Sequence, residues 1–192
     1  MRDPGLLFAQ GTLILILGQE SQNGLIDLPE DDPDVIGHLI TFLYTSVYPT
    51  KTASQYLLDV KLYTVADKYD VPRLKSAAKR SFTERAVRVF KKAKEASEKT
   101  SEDHSKIQKE LCNIIGCIPM IYEATPDSDR GLRAVITIQA KYYGTLLREA
   151  PYKEKCQQLV QQVPAFGWDL LSLYMQQNSE RVQSGVSDEP VT

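Results

Sequence analysis

The densest group of side chains able to do chemistry stands early in the chain, where Glu30, Asp31, Asp32 and Asp34 crowd around Pro29 and Pro33 in "PEDDPD". Clustered carboxylates are the ligands a hard cation such as calcium prefers. A calcium loop of the EF-hand kind, however, alternates its carboxylates, turns on a glycine at its sixth position and closes on a distal glutamate. "PEDDPD" puts a rigid proline where a ligand or turn residue belongs and has no such glycine. The start of a helix explains the cluster better. Asp32 is a preferred N-cap, Pro33 suits the first helical position, and Asp34 adds charge at the positive end of the helix dipole.

Other chemistry finds less footing. His38 and His104 are the only histidines, and neither has the cysteine or carboxylate spacing of a zinc site. Cys112 and Cys117 would point about 140° apart on a helix, which argues against a shared metal or a redox pair unless Pro119 reorganises the backbone. Each reads as a small core hydrophobe. No G-x-S-x-G, phosphate loop or dinucleotide fingerprint occurs. Carboxylates are plentiful, but spacing alone nominates no glycosidase-type pair. The sequence therefore nominates no catalytic, cofactor-binding or metal-ligating residue, and the expectation is a protein that is not an enzyme.

The elements that carry these residues are mostly helical. Apolar residues recur at Val35/Ile36, Leu39/Ile40 and Leu43, the stripe of an amphipathic helix. A second helix is expected over Gln55 to Tyr69, capped by Ser54, with Leu58, Leu62, Val65 and Tyr69 on one side. Asp70 as N-cap and Pro72 in the first turn predict a third, running through "LKSAAKRSFTERAVRVFKKAKEA". Lys94 to Lys106 is nearly devoid of apolar residues and reads as a linker or a solvated helix end. Ile107, Leu111, Ile114/Ile115, Ile118 and Tyr122 resume the period, and Pro119 should kink or split that helix. After the turn "TPDSDRG", Leu132, Val135/Ile136, Tyr143 and Leu146/Leu147 mark another helix. Pro151 and Pro164 bound a further piece, "FGWDLLSLYMQQ" forms a last short helix, and residues 178–192 read as a disordered tail.

The ends and the composition set the class. With 192 residues, 42% hydrophobic and 25% charged, the chain fits one ordinary domain or a small domain with an extension. A net charge of −2 gives no general case for nucleic acid or acidic lipid. Three cysteines are too few for a disulfide framework, so free thiols in the cytoplasm or nucleus, rather than secretion, are expected. "LLFAQGTLILILG", Leu6 to Gly18, is too short to span a bilayer, which takes about 20 apolar residues. Thr12 to Leu17 reads as a strand; a signal-peptide core is the competing reading, opposed by Asp3 and by the lack of a cleavage site. Around Asn23-Gly24, this run and Leu25–Leu28 suggest a hairpin.

Two features admit functional readings. Arg73, Lys75, Lys79, Arg80, Arg85, Arg88, Lys91, Lys92 and Lys94 face a single Glu84 within 73–94. Such a helix could track phosphates, yet Leu74, Ala78, Phe82, Ala86 and Val89 share one side, no aromatics interleave to stack bases, and a solvated face is the better explanation. Tyr44, Tyr48, Tyr63 and Tyr69 are either binding anchors or packed core residues.

"LIDLPEDDPDVIGHLITFLYTSVYP" followed by "LLDVKLYTVADKYDVPRLKSAAKRSF" resembles the second half of a BTB/POZ domain of the kind found in fungal proteins. The marks are the acidic-proline helix start, Phe42-Leu43-Tyr44-Thr45, and Tyr63 to Pro72. Ile118 to Ile136 is similar to the helical region that follows the domain there, so the likeness covers about Glu20 to Met175. It implies a small sheet capped by helices, often dimeric, that brings partners to cullin ubiquitin ligases or transcriptional complexes without catalysis. The family's opening strands and helical hairpin, which supply much of its dimer interface, have no counterpart in residues 1–19. Its hydrophobic-x-Glu cullin motif falls on Gly18-Gln19-Glu20, with glycine in the hydrophobic place.

The expected organisation is an atypical segment 1–19, a partial BTB/POZ-like α+β domain 20–93, a charged linker 94–106, a helical region 107–177 and the tail 178–192. The expected function is a non-catalytic adaptor or scaffold that binds other proteins through the BTB-like helices. Self-association stays open, a family-type dimer and cullin recruitment are disfavoured, and membrane insertion is not expected. The competing readings are a chromatin- or nucleic-acid-associated factor using 73–94, and a truncated fragment without function.

Overall fold

A computed structural model describes residues 7–9, 12–14, 26–27, 31–50, 55–98 and 104–183. The protein is mainly α-helical. Its elements are β1 (Leu7–Ala9), β2 (Thr12–Ile14), β3 (Ile26–Asp27), α1 (Pro33–Thr45), α2 (Gln55–Lys68), α3 (Pro72–Glu98), α4 (His104–Gly116), α5 (Ile118–Ala124), α6 (Gly131–Tyr142), α7 (Gly144–Leu147), α8 (Tyr152–Gln162) and α9 (Pro164–Gln183). β1 pairs antiparallel with β2 (Phe8 opposite Leu13) and β2 with β3 (Leu13 opposite Ile26). The strand expected over Thr12–Leu17 is described only as far as Ile14. Glu30, Ser54, the Asn23-Gly24 turn, the Gly18–Glu20 slot and residues 184–192 lie outside the described residues.

The chain divides between Ala78 and Lys79, inside α3, into two compact units. In the N-terminal unit α1 packs on α2. Asp32 caps α1, its side chain accepting from the Asp34 amide at 3.1 Å, and Pro33 opens the helix. Val35, Ile36, Leu39 and Ile40 are buried, but Leu43 is 57% exposed and Phe42 takes the inward place. The expected stripe thus ends one residue early. Helix α1 closes on Ser46 in the left-handed region, φ 56°, with its amide on the Phe42 carbonyl. Helix α2 buries more than the expected line: Gln55, Asp59, Val60 and Tyr63 are covered along with Leu62, Val65 and Ala66. Leu58 and Tyr69 are only half-buried.

Asp70 is where the sequence reading fails. It stands in the left-handed region, φ 51°, not in the extended backbone of an N-cap. Its amide bonds to Asp67 and that of Val71 to Ala66, the paired bonds that close a helix in a Schellman turn. Asp70 ends α2 rather than starting α3, because aspartate tolerates the left-handed conformation better than most residues. The first helical bond of α3 reaches back to Val71.

In the C-terminal unit α6 packs on α9, and α5 and α8 join both α4 and α9. Leu111, Ile114, Ile118, Ile121, Leu132 and Ile136 are buried, as are Phe82, Phe90 and Ala86 of α3. The Pro119 disruption is a split, α4 ending at Gly116 and α5 beginning at Ile118. The helix expected from Leu132 to Leu147 is also broken, at Tyr143 between α6 and α7. Much of the expected linker is helical, since α3 runs to Glu98 and α4 begins at His104, whose Nδ1 lies 3.2 Å from the Ala96 carbonyl. The expected tail is shortened: α9 is a 20-residue helix reaching Gln183. Proline at its first position extends it, as the missing amide hydrogen is not needed there.

Candidate interaction surfaces

The acidic cluster serves the fold. Asp31 accepts the Tyr69 hydroxyl at 2.6 Å and pairs with Lys68 at 2.9 Å; Asp32 pairs with Lys61 at 2.6 Å while capping α1. Burial pushes the Asp31 carboxyl up, but the Tyr69 and Lys68 hydrogen bonds outweigh it and hold it below its usual value. The Lys61 hydrogen bond holds Asp32 low as well. These carboxylates fasten the start of α1 to the face of α2. No group of three or more metal-ligating side chains occurs among the described residues.

The tyrosines separate into two kinds. Tyr63 is buried under Lys75, whose Nζ lies 4.8 Å from the ring centre. Tyr48 is half-buried and donates to the wholly buried Asp59 at 2.7 Å, and Gln55 reaches both Asp59 and the Pro49 carbonyl. That trio fixes the chain leaving α1. Tyr44 alone faces solvent, 64% exposed, with Leu43 and Val47 beside it in sequence. These three residues sit at and just beyond the end of α1.

The basic helix has the two faces its spacing implies. Leu74, Ala78, Phe82, Ala86 and Val89 are buried, and Arg73, Lys79, Arg80, Arg88, Lys91, Lys92 and Lys94 are exposed. Lys75 is engaged with Asp67 at 2.6 Å, and Lys91 lies 3.9 Å from Glu95.

The C-terminal unit holds a polar knot that the sequence reading missed. Arg133, 4% exposed, donates to the Thr125 hydroxyl and carbonyl, the Tyr122 carbonyl and Asp127, and its guanidinium lies 4.5 Å from the Tyr122 ring centre. Tyr122 donates to Asp169 at 2.6 Å, and Arg130 pairs with the same carboxylate at 2.9 Å. Burial, then the Asp169 bond, pushes the Tyr122 hydroxyl up to about 12. Burial opposes ionisation of Asp169 too, yet Arg130 and Tyr122 hold it below its ordinary value. A neutral tyrosine and committed carboxylates suit a brace better than proton transfer. Only "TPDSDRGLR", with several polar residues opening a helix, could have signalled it.

The thiols are equally quiet. Burial pushes Cys117 and Cys156 up to about 11, so both are protonated at neutral pH and poor nucleophiles. Trp168, Leu171 and Met175 are exposed at helical spacing on α9, and Ile138 and Tyr142 on α6. No described helix is long and apolar enough to cross a membrane. No family model, curated protein or solved structure matches the chain.

Proposed function

We propose that this chain is a non-catalytic protein-interaction module, an adaptor or scaffold with a partial BTB/POZ-type α+β core, working in the cytoplasm or nucleus. The observation that carries this reading is the segment Phe42–Pro72, whose sequence resembles the family and in which Leu43 and Tyr44, in the last turn of α1, and Val47 just after it are exposed. Exposed tyrosine beside aliphatic residues is a common anchor composition at protein interfaces. The partner is another protein. Glycine at position 18 argues against cullin recruitment. The test is affinity capture with the full chain beside its Leu43→Ser/Tyr44→Ser variant. A partner held by the first and lost from the second supports the module. No reproducible partner, or the same set on both, would refute it.

A second reading rests on the exposed basic residues of α3, which could contact a polyanion. It requires binding to duplex or single-stranded nucleic acid that weakens steeply between low and moderate salt. Salt-independent or absent binding removes it.

A further inference from the structure

We propose that the C-terminal unit contains a binding site for a small amphiphile, a single unbranched apolar chain ending in a carboxylate. The site is a cavity of about 180 Å³ whose walls include Ile115, Ile118, Ile136, Leu159 and Phe166. An apolar cavity of about 150 Å³ in another protein stays dry and takes up benzene, so this volume suits a short hydrocarbon better than water. Cys156 adds a half-buried thiol to the wall. Burial keeps that thiol protonated, which makes it part of an apolar lining.

One edge of the cavity is held open by its backbone. A Cβ on Gly144 would stand 2.8 Å from the Tyr174 hydroxyl, which bonds to the Lys141 carbonyl at 3.2 Å. Glycine therefore lets the Tyr174 ring lie close against α7. Two of the cavity's lining residues, Val160 and Arg148, are exposed. The Arg148 guanidinium has no ion pair or hydrogen bond with the described residues. An exposed cation among the lining residues of an apolar pocket complements a carboxylate head on an apolar tail.

The inference stands apart from the interaction-module reading. Its test is calorimetric titration of the full chain with hexanoate, octanoate and decanoate, and with octanol as the uncharged control. Affinity should tighten about fourfold for each added methylene until the cavity fills. Ala140, on α6, also lines the cavity, and Ala140→Leu, which places a larger side chain there, should weaken octanoate more than tenfold. Arg148→Gln, on the surface and safe for the fold, should weaken octanoate about fivefold and leave octanol unchanged. No saturable binding, or affinity independent of chain length, would overturn the site. Octanol binding as tightly as octanoate, with Arg148→Gln silent, would overturn the carboxylate assignment.

Discussion

Each unit contains a tyrosine, a carboxylate and a cation in the same arrangement. In the N-terminal unit Tyr69 donates to Asp31 at 2.6 Å, and Lys68 closes on that carboxylate at 2.9 Å. In the C-terminal unit Tyr122 donates to Asp169 at 2.6 Å, and Arg130 closes at 2.9 Å. The carboxylates are similarly covered, 8% and 15% exposed, and the cations similarly open, 46% and 49%. What differs is the other side of the tyrosine. Tyr69 is half-buried at the junction of two helices, whereas the Tyr122 ring lies under the buried guanidinium of Arg133. Geometry at the hydrogen bond is therefore a poor guide to its weight. The first trio latches a helix start onto its neighbour, and the second adjoins a guanidinium that is almost wholly buried.

Removing that charge should give the largest effect. Arg133→Ala leaves the Thr125 and Tyr122 carbonyls without their donor, while Asp127, 95% exposed, is satisfied by water; together with the lost packing the loss should be about 3 kcal/mol. Urea unfolding followed by the fluorescence of Trp168, the single tryptophan and a residue of the same unit, reads it directly. Lys68→Ala should cost less than about 1 kcal/mol, as partly exposed pairs do. Equal losses would break the comparison.

Tyr122→Phe comes next, at about 2 kcal/mol, because a mostly covered carboxylate loses a donor beside the buried network. Tyr69→Phe should cost about half as much, roughly 1 kcal/mol, since Tyr69 itself is half-buried and, among the described residues, no buried guanidinium lies against its ring. The pH profile sharpens the contrast. Tyr122 holds its proton more tightly folded than unfolded, so its contribution is complete below pH 10 and is lost as pH rises toward about 12. Asp31, Asp32 and Asp169 have the opposite sign. Their folded values lie below the unfolded one near 3.8, so their contribution is present above that pH and lost as acid protonates them. Unfolding measured at pH 9 and 11.5 should show a smaller alkaline loss in Tyr122→Phe than in the parent, and a smaller acid loss below pH 4 as well, because Asp169 loses one of the bonds that hold it low.

The two regions also differed in how far the sequence exposed them. Asp32 and Pro33 were legible because capping is local: the side chain meets an amide two residues away, and spacing alone fixes the chemistry. The apolar faces of α1 and α3 followed from period, as did the split at Pro119. Arg133 was not legible. Its partners lie on α5, in the turn after it and at Asp127, and an arginine between Leu132 and Ala134 carries no mark of burial. The Tyr69–Asp31 bond spans 38 positions and was equally invisible. Leu43 was misplaced for a related reason, since a periodic stripe cannot tell where the neighbouring helix stops covering it. The basic face of α3 was read correctly as a pattern, yet a pattern does not distinguish a solvated surface from one that meets a partner.

The smallest expected effect tests the most local disagreement. Sequence alone makes Asp70 the N-cap of α3; the structure makes it the left-handed terminus of α2, φ 51°. The two readings predict opposite signs for Asp70→Gly. An N-cap aspartate replaced by glycine costs a few tenths of a kcal/mol, on the order of 0.3. A left-handed aspartate replaced by glycine is relieved of a steric penalty, which glycine's extra freedom in the unfolded chain only partly offsets, for a net gain of about 0.5 kcal/mol. Asp70→Ala destabilises under either reading and supplies the control. Differential scanning calorimetry of the full chain should therefore place Asp70→Gly above the parent and Asp70→Ala below it. The result also bears on the two units: if a single helix terminus in the N-terminal unit rivals Tyr122→Phe, its stability rests on local turns as much as on the latch at Asp31.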